Sequence, residues 1–278
     1  MESNILYSIL MGIVTGAASV LPVSVEAHQR LLLKFMGLRE IPVLTALLVH
    51  LGIAAALYIS CQNHILKMTR ASRLARIPKK KRKRPLDTRS LMDLSLLKTM
   101  LLPVLLGLFL YEKAADLVTN FIIMATFLFI NGIILYIPQF LPSSNKDCRS
   151  LSRVEGLLMG LGGGLFIIPG LSGMGASLSV ASVSGVDRKY GLNMILLMQL
   201  GVMVGRILLD GWNLISGGAG LLSVISLLSC LLAAVCAFVV TYFSVKFMRH
   251  LAGETGFAGF AYYSWGMALF TFILSLMA

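Results

Sequence analysis

Two apolar segments of this chain, Gly12 to His28 and Gly156 to Gly185, are each broken midway by proline and small polar residues. The breaks read Leu21-Pro22-Val23-Ser24 and Ile168-Pro169-Gly170-Leu171-Ser172. Proline withholds an N–H and pushes away the carbonyl four residues before it, leaving backbone groups that hydrocarbon cannot satisfy. In a membrane such backbone survives only inside protein. Each segment is therefore expected to be a re-entrant helical hairpin: a descending half-helix, a break and a returning half-helix. The membrane itself follows from composition, because 57% of the residues are hydrophobic and 13% charged, about half the charge of an ordinary soluble domain. Six stretches are apolar for about the 20 residues a bilayer core requires: Ile41 to Ser60, Leu94 to Tyr111, Val118 to Ile137, Leu192 to Leu209, Leu221 to Phe243 and Phe257 to Leu276. The earlier apolar run, Ile5 to Val23, has no basic stretch before it and is read as part of the mature protein rather than a cleavable signal.

The formal net charge of +12 does not point to nucleic acid. Eleven of the 24 Lys and Arg residues fall between Lys67 and Arg89 with one acid, Asp87, leaving 13 basic against 11 acidic residues, or +2, for everything else. A basic loop between two spans is the mark of a cytoplasmic segment; its role is topogenic, with contact to anionic lipid head groups as the alternative. Alternation then places residues 112–117 outside, and residues 138–153 and 244–254 inside, where Lys146, Arg149, Arg153, Lys246 and Arg249 agree in sign. Cys61, Cys148, Cys230 and Cys236 form no CxxC pair and are read as free thiols.

The halves repeat. Gly12-xxx-Gly16, Leu21-Pro22 and Ser24 answer to Gly156-xxx-Gly160, Ile168-Pro169 and Ser172; then Leu48-Val49-His50-Leu51-Gly52-Ile53 answers to Leu197-Met198-Gln199-Leu200-Gly201-Val202. The fold class expected is an all-α polytopic membrane protein made of one membrane domain, 1–278, with repeat 1 over 5–140 and repeat 2 over 152–278. Each repeat holds one hairpin and three spans, and an odd number of crossings inverts the second against the first. In such architectures the broken helices meet near the midplane and their N-termini face an anionic ligand.

The polar residues at the breaks are the site candidates: Thr15, Ser19, Ser24, Glu26 and His28 on the first hairpin, and Ser172, Ser177 and Ser179 with Gly170, Gly173 and Gly175 on the second. Ionisable groups inside a membrane are costly, which singles out Glu26 and His28. The plainer readings stay open: Glu26 pairs with Arg30 at i,i+4, His28 is a packing histidine, and so is His50 in the first span. Asp93, Glu112, Asp116 and Asp210 stand at span ends and are read as solvated. No HExxH, GxSxG, GxxxxGK[ST] or paired-carboxylate pattern occurs, so zinc-protease, serine-hydrolase and P-loop chemistry find no support.

Gly12-Ile-Val-Thr-Gly-Ala-Ala-Ser-Val-Leu-Pro-Val-Ser-Val-Glu-Ala-His28 resembles the undecaprenyl-diphosphatase (bacitracin-resistance) motif G-x-x-E-G-x-T-E-F-L-P-[IV]-S-S-x-x-H, and Pro169-Gly-Leu-Ser-Gly-Met-Gly-Ala176 is similar to its second motif, P-G-x-S-R-S-G-A. His50-Leu-Gly, Pro103, Gly107 and Gly185-Val-Asp-Arg fit the same layout, so the likeness covers nearly the whole chain. It implies a bacterial inner-membrane protein acting on undecaprenyl diphosphate, the lipid carrier of cell-wall synthesis, with a site opening to the outer face.

Against that pattern the two motif glutamates are Thr15 and Ser19, the second serine is Val25, the motif arginine is Gly173 and the serine after it is Met174, while Ser24, His28 and Ser172 remain. Losing an arginine clamp removes a charge term worth several kcal/mol, on the order of a hundredfold or more in rate. Losing the carboxylates removes a general base and any cation ligands; a divalent cation is the one cofactor the resemblance brings into question, and its carboxylates are missing. The reading is a protein that binds a polyprenyl phosphate or diphosphate with weak or no hydrolysis, and moves or senses the lipid. An active phosphatase with a rewired site built on His28, Ser24 and Glu26, and a transporter of another anion or a partner subunit, are the alternatives. Expected partners are the lipid and the membrane and not nucleic acid, with a homodimer left open.

Overall fold

The structure is a computed structural model that describes residues 5–38, 40–117, 120–142, 145–217, 224–253 and 256–277, with backbone alone for 112–117 and 224–226. Ten α-helices carry these residues: α1 Ile5–Ala18, α2 Val25–Phe35, α3 Val43–Ala75, α4 Thr88–Leu117, α5 Phe121–Tyr136, α6 Arg153–Gly164, α7 Gly173–Val183, α8 Arg188–Ser216, α9 Val224–Gly253 and α10 Gly259–Leu276. Six segments are long and apolar enough to cross a membrane, and they match the six expected stretches: Val43–Ala75, Thr88–Tyr111, Phe121–Phe140, Arg188–Ser216, Leu227–Gly253 and Gly259–Leu276. The expected starts at Val118 and Leu221, and the side chains of Glu112 and Asp116, lie outside the described residues.

The other four helices form the two hairpins. At 11 to 14 residues each, they reach about 16 to 21 Å, short of the roughly 30 Å of hydrocarbon. Residues 19–24 separate α1 from α2; a short 3-10 turn, Leu165–Ile167, and Pro169-Gly170 separate α6 from α7. Ser24 and Ser172 are the N-caps of the returning helices, accepting from Ala27 N at 3.3 Å and Gly175 N at 3.0 Å. A capping box between Ser152 and Glu155 starts α6.

The basic segment is only partly a loop. Lys67, Arg70 and Arg73 belong to α3, which runs to Ala75; loop structure is confined to residues 76–87, with one 3-10 turn at Lys79–Lys81. The reason is local: good helix formers continue without a proline until Pro78, so the helix outlasts the bilayer. At 33 residues, α3 is about 50 Å long.

Packing respects the repeat. Exchanging α1–α5 for α6–α10 turns the α1·α9 contact into α6·α4, α3·α9 into α8·α4, and α1·α3 into α6·α8, and leaves α3·α8 and α5·α10 paired with each other. The glycines make the close contacts in both halves. Gly12 and Gly16 of α1 meet the backbone of Ala233 and Ala237 on α9, and Gly160 of α6 meets that of Met100 on α4; Gly52 rests on Ala234 of α9 as Gly201 rests on Leu101 of α4. Lipid offers no hydrophobic drive between helices, so small residues that let backbones touch carry the association. All four cysteines are free thiols, three of them buried.

Candidate functional site

The two breaks are joined. Ser24 Oγ, besides capping α2, accepts a 2.9 Å hydrogen bond from Gly170 N in the second break. Gly170 holds φ +108, and a Cβ there would strike Met124, Phe127 and Leu128 of α5, so only glycine fits. Ser172 N donates to Asn131 Oδ1 of α5 at 2.9 Å, and Asn131 donates to Ser264 of α10 at 3.0 Å. The N-termini of α2 and α7 are thereby brought together in the middle of the fold by a buried polar network. One consequence runs against the idea of bare helix ends cradling a phosphate: some of their N–H groups are already taken by Ser24 and Ser172.

A small cavity of about 30 Å³ lies beside the junction, room for about one water-sized body. Its polar wall comes from both halves: Ser19, Glu26 and His50 from the first, Ser172, Gln199 and Arg206 from the second, with Gly173 in the lining. His50 and Gln199 are the residues that correspond in the sequence repeat.

Arg206 is the guanidinium in the lining of this cavity. Its guanidinium carbon lies 3.8 Å from the centroid of the Tyr111 ring, and its Nη1 is 3.6 Å from Glu26 Oε1, with both side chains 12% exposed. Tyr111 Oη donates to the same Glu26 oxygen at 2.5 Å, and the Tyr111 ring stacks on Phe166. The arginine is thus braced by an aromatic face and a carboxylate. Nη1 nonetheless has no hydrogen-bond partner, and a buried guanidinium N–H without an acceptor costs free energy that a ligand oxygen would recover. In the same lining, His50 Nδ1 is 2.5 Å from Asp210 Oδ2, with side-chain exposures of 4% and 13%. An ionised carboxylate only accepts, so Nδ1 carries the proton of that contact and Nε2 is the imidazole's remaining site.

The other sequence candidates are placed as follows. His28 does not line the cavity: Nδ1 meets Ser24 O at 2.6 Å and Nε2 meets Tyr263 Oη of α10 at 2.6 Å, with the two rings stacked. Two residues away on the helix, Glu26 faces the other way. Thr15 is buried, accepts from Gln29 Nε2 at 3.0 Å and donates to Met11 Sδ, while Ser19 donates to Thr15 O at 2.7 Å. Gly175 packs against Pro22 and Leu135. Ser177 donates to Met159 O at 2.6 Å. Ser179 Oγ is buried without a partner, away from this cavity.

Two sequence expectations are corrected. Asp210 is not a solvated span end, because α8 continues past it to Ser216 and turns its carboxylate onto His50. Asp93 is 4% exposed and accepts from His64 Nε2 at 2.9 Å and Tyr190 Oη at 2.8 Å; α4 begins five residues earlier, at Thr88, which carries Asp93 inside the helix packing. Arg206 is missing from the sequence candidates, although a lone charge inside the stretch Leu192 to Leu209 is the signal that intramembrane sites give. Tyr111 offers no such signal.

Among the described residues no three His, Cys, Asp or Glu side chains converge as metal ligands. The motif positions offer the hydroxyls of Thr15 and Ser19, each already engaged, and these residues do not fit a divalent cation.

Residues 8–270 match the sequence model of the family described as "Bacitracin resistance protein BacA". The chain is similar to an undecaprenyl-diphosphatase of Carboxydothermus hydrogenoformans, 26% identical over 271 residues, covering 98% of this chain and 97% of the relative. It is likewise similar to undecaprenyl-diphosphatases of Methanobrevibacter smithii, at 26% identity with 98% of each chain covered, and of Halothermothrix orenii, at 24% identity with 96% of each covered.

Proposed function

The chain belongs to the bacitracin resistance protein BacA family, a family of multi-pass bacterial inner-membrane proteins, and on that premise we propose that it binds the phosphate head group of a polyprenyl phosphate or diphosphate in the cavity between its two hairpins, with weak or no hydrolysis. The observation that carries this reading is Arg206: a guanidinium inside the membrane domain, with Nη1 left without an acceptor in a cavity lined by Ser19, Ser172 and His50. A buried cation with a spare N–H is suited to a phosphate oxygen, and in a low-dielectric site the contact is strong. The phosphate of the ligand would meet Arg206 through this cavity. Its prenyl chain would run out between helices into the lipid.

Binding can outlive catalysis. A ground-state phosphate needs a cation and a few donors; the transition state of diphosphate hydrolysis needs, in addition, charge and proton transfer placed at the bridging oxygen. Thr15, Ser19 and Gly173 lack the carboxylates and the guanidinium that the family motifs place there. Basic residues Lys67 to Arg89 facing the cytoplasm, with residues 152–278 inverted against 5–140, complete the reading.

A second reading draws on one observation, the Asp210–His50 pair. It gives the cavity a carboxylate-oriented imidazole beside Arg206, the elements of a rewired phosphatase with His50, rather than His28, as base. Phosphate release from undecaprenyl diphosphate by the purified protein separates the two, with undecaprenyl phosphate binding measured alongside. The expected result is saturable binding with turnover about a hundredfold to a thousandfold below that of a relative with intact motifs. Turnover near the relative's, abolished by His50→Ala, would put the second reading first; no binding of either lipid would defeat both.

A further inference from the structure

The charges around the cavity do not balance for an incoming anion. Its wall and the contacts behind it hold two carboxylates, Glu26 on α2 and Asp210 on α8, and one guanidinium, Arg206 on α8, together with the imidazole of His50 on α3. From α4 comes the phenol of Tyr111, which donates to Glu26. Helix α1 adds the uncharged Ala18 and Ser19 to the lining, α9 adds nothing, and its charged residues Lys246 and Arg249 stand near its far end. With the imidazole neutral the cluster carries a net charge of −1, counted as +1 for Arg206 and −2 for Glu26 and Asp210. A phosphate adds at least one further negative charge to a space where charges are poorly screened.

One group in the cluster can relieve this near neutral pH. Of these side-chain types, imidazole is the one that ordinarily changes charge near neutral pH. His50 uses Nδ1 on Asp210, which leaves Nε2 to receive a proton. Once protonated there, it becomes a second donor to the phosphate and brings the empty cluster to zero charge. Resting on the head-group reading above, we infer that this site takes its phosphate together with a proton, carried on His50 Nε2 and held by Asp210. The balance is simple: one proton from solvent, one anion from the membrane, and no bond other than N–H made or broken. If the lipid is moved across the membrane, a proton moves with it, and the proton gradient becomes a driving force for the lipid.

By linkage, binding coupled to one proton strengthens by up to about tenfold for each unit that pH falls, over the range in which His50 is neutral in the free protein. Phosphate monoesters titrate in that same range, so the probe must not. Farnesyl sulfate keeps one negative charge throughout and presents a tetrahedral oxyanion on a prenyl chain; farnesyl phosphate serves as the ligand of the parent reading. Binding of both to the full-length protein in detergent would be followed by calorimetry from pH 6 to pH 8.5, in two buffers of different ionisation enthalpy to count protons directly. Expected are an affinity for farnesyl sulfate that falls several-fold or more per unit of rising pH, uptake of close to one proton at the alkaline end, and loss of both in His50→Gln. Asp210→Asn provides a second variant, expected to flatten the slope. Farnesyl phosphate bound with farnesyl sulfate affinity flat across the range and no proton counted overturns the proton inference and leaves the head-group site standing. A slope retained in folded His50→Gln also overturns it. Failure of both probes to bind at any pH removes the head-group site and the inference together.

Discussion

Arg206 stacks its guanidinium on the ring of Tyr111, 3.8 Å from the centroid, so an arginine of the eighth helix stands beside the same small cavity as Gly173, where the family motif has its arginine. Its place in the lining makes it the residue to test for head-group binding. Arg206→Gln is therefore expected to weaken undecaprenyl phosphate binding by about tenfold to a hundredfold, the loss of roughly 1.5–3 kcal/mol for a hydrogen bond to a charged group. Arg206→Lys should fall between, because an ammonium lacks the planar face that rests on Tyr111 and the fork that grips two oxygens. Titration of the lipid against both variants checks this. Unchanged affinity in Arg206→Gln would place the head group elsewhere.

Restoring the family arginine at Gly173 should fail. A Cβ at 173 runs into the carbonyl of Gly163 and the backbone and Cβ of Phe166, where α6, the 3-10 turn and α7 come together. Backbone cannot give way as a flexible side chain can. Gly173→Arg is expected to lower stability by about 1–3 kcal/mol or more through overpacking, without gain in undecaprenyl diphosphate turnover, even with Thr15→Glu and Ser19→Glu added. Thermal unfolding in detergent and phosphate release would be read on the same preparation.

The two cap serines should differ in cost although they correspond in sequence. Ser24 Oγ caps α2 and also accepts from Gly170 N across the junction, whereas the hydroxyl of Ser172 caps α7 alone. Ser24→Ala loses a cap worth about 1 kcal/mol and strands a buried N–H at a further 1–3 kcal/mol or so. Ser172→Ala loses about 1 kcal/mol, since its bond to Asn131 comes from its backbone. Equal shifts in unfolding midpoint for the two variants would contradict the junction described.

Topology is checked at Lys80, which is exposed in the 3-10 turn of the basic segment. In a variant carrying Lys80→Cys and the four native cysteines replaced by alanine, an impermeant thiol reagent should label inverted vesicles and spare intact cells. Labelling of intact cells would overturn the cytoplasmic assignment and, with it, the inverted relation of the halves.

The fold was largely legible because its signals are local. Pro22 and Pro169 interrupt apolar runs, and breaks of that kind fix where a helix stops whatever surrounds it. The six spans follow from length and polarity, and the repeat of Gly12, Pro22 and Gly52 in Gly156, Pro169 and Gly201 anticipates the exchange of helix pairs seen in the packing. Even so, α3 extends past Lys67 to Ala75, because the bilayer limit suggests a stopping point that helix propensity does not obey.

The site was legible only in part. Glu26 and Ser172 line one cavity and Ser24 meets Gly170 of the other break, and each break carries its polar residues with it. Which charge meets which was decided in three dimensions: Glu26 meets Tyr111 and Arg206 from 85 and 180 positions away, and His50 meets Asp210 from 160 away. No periodicity records such pairs. They arise because α3 and α8 pack across the relation between the two halves, and because a charge enclosed in helices must find its counter-charge on whichever helix that packing delivers.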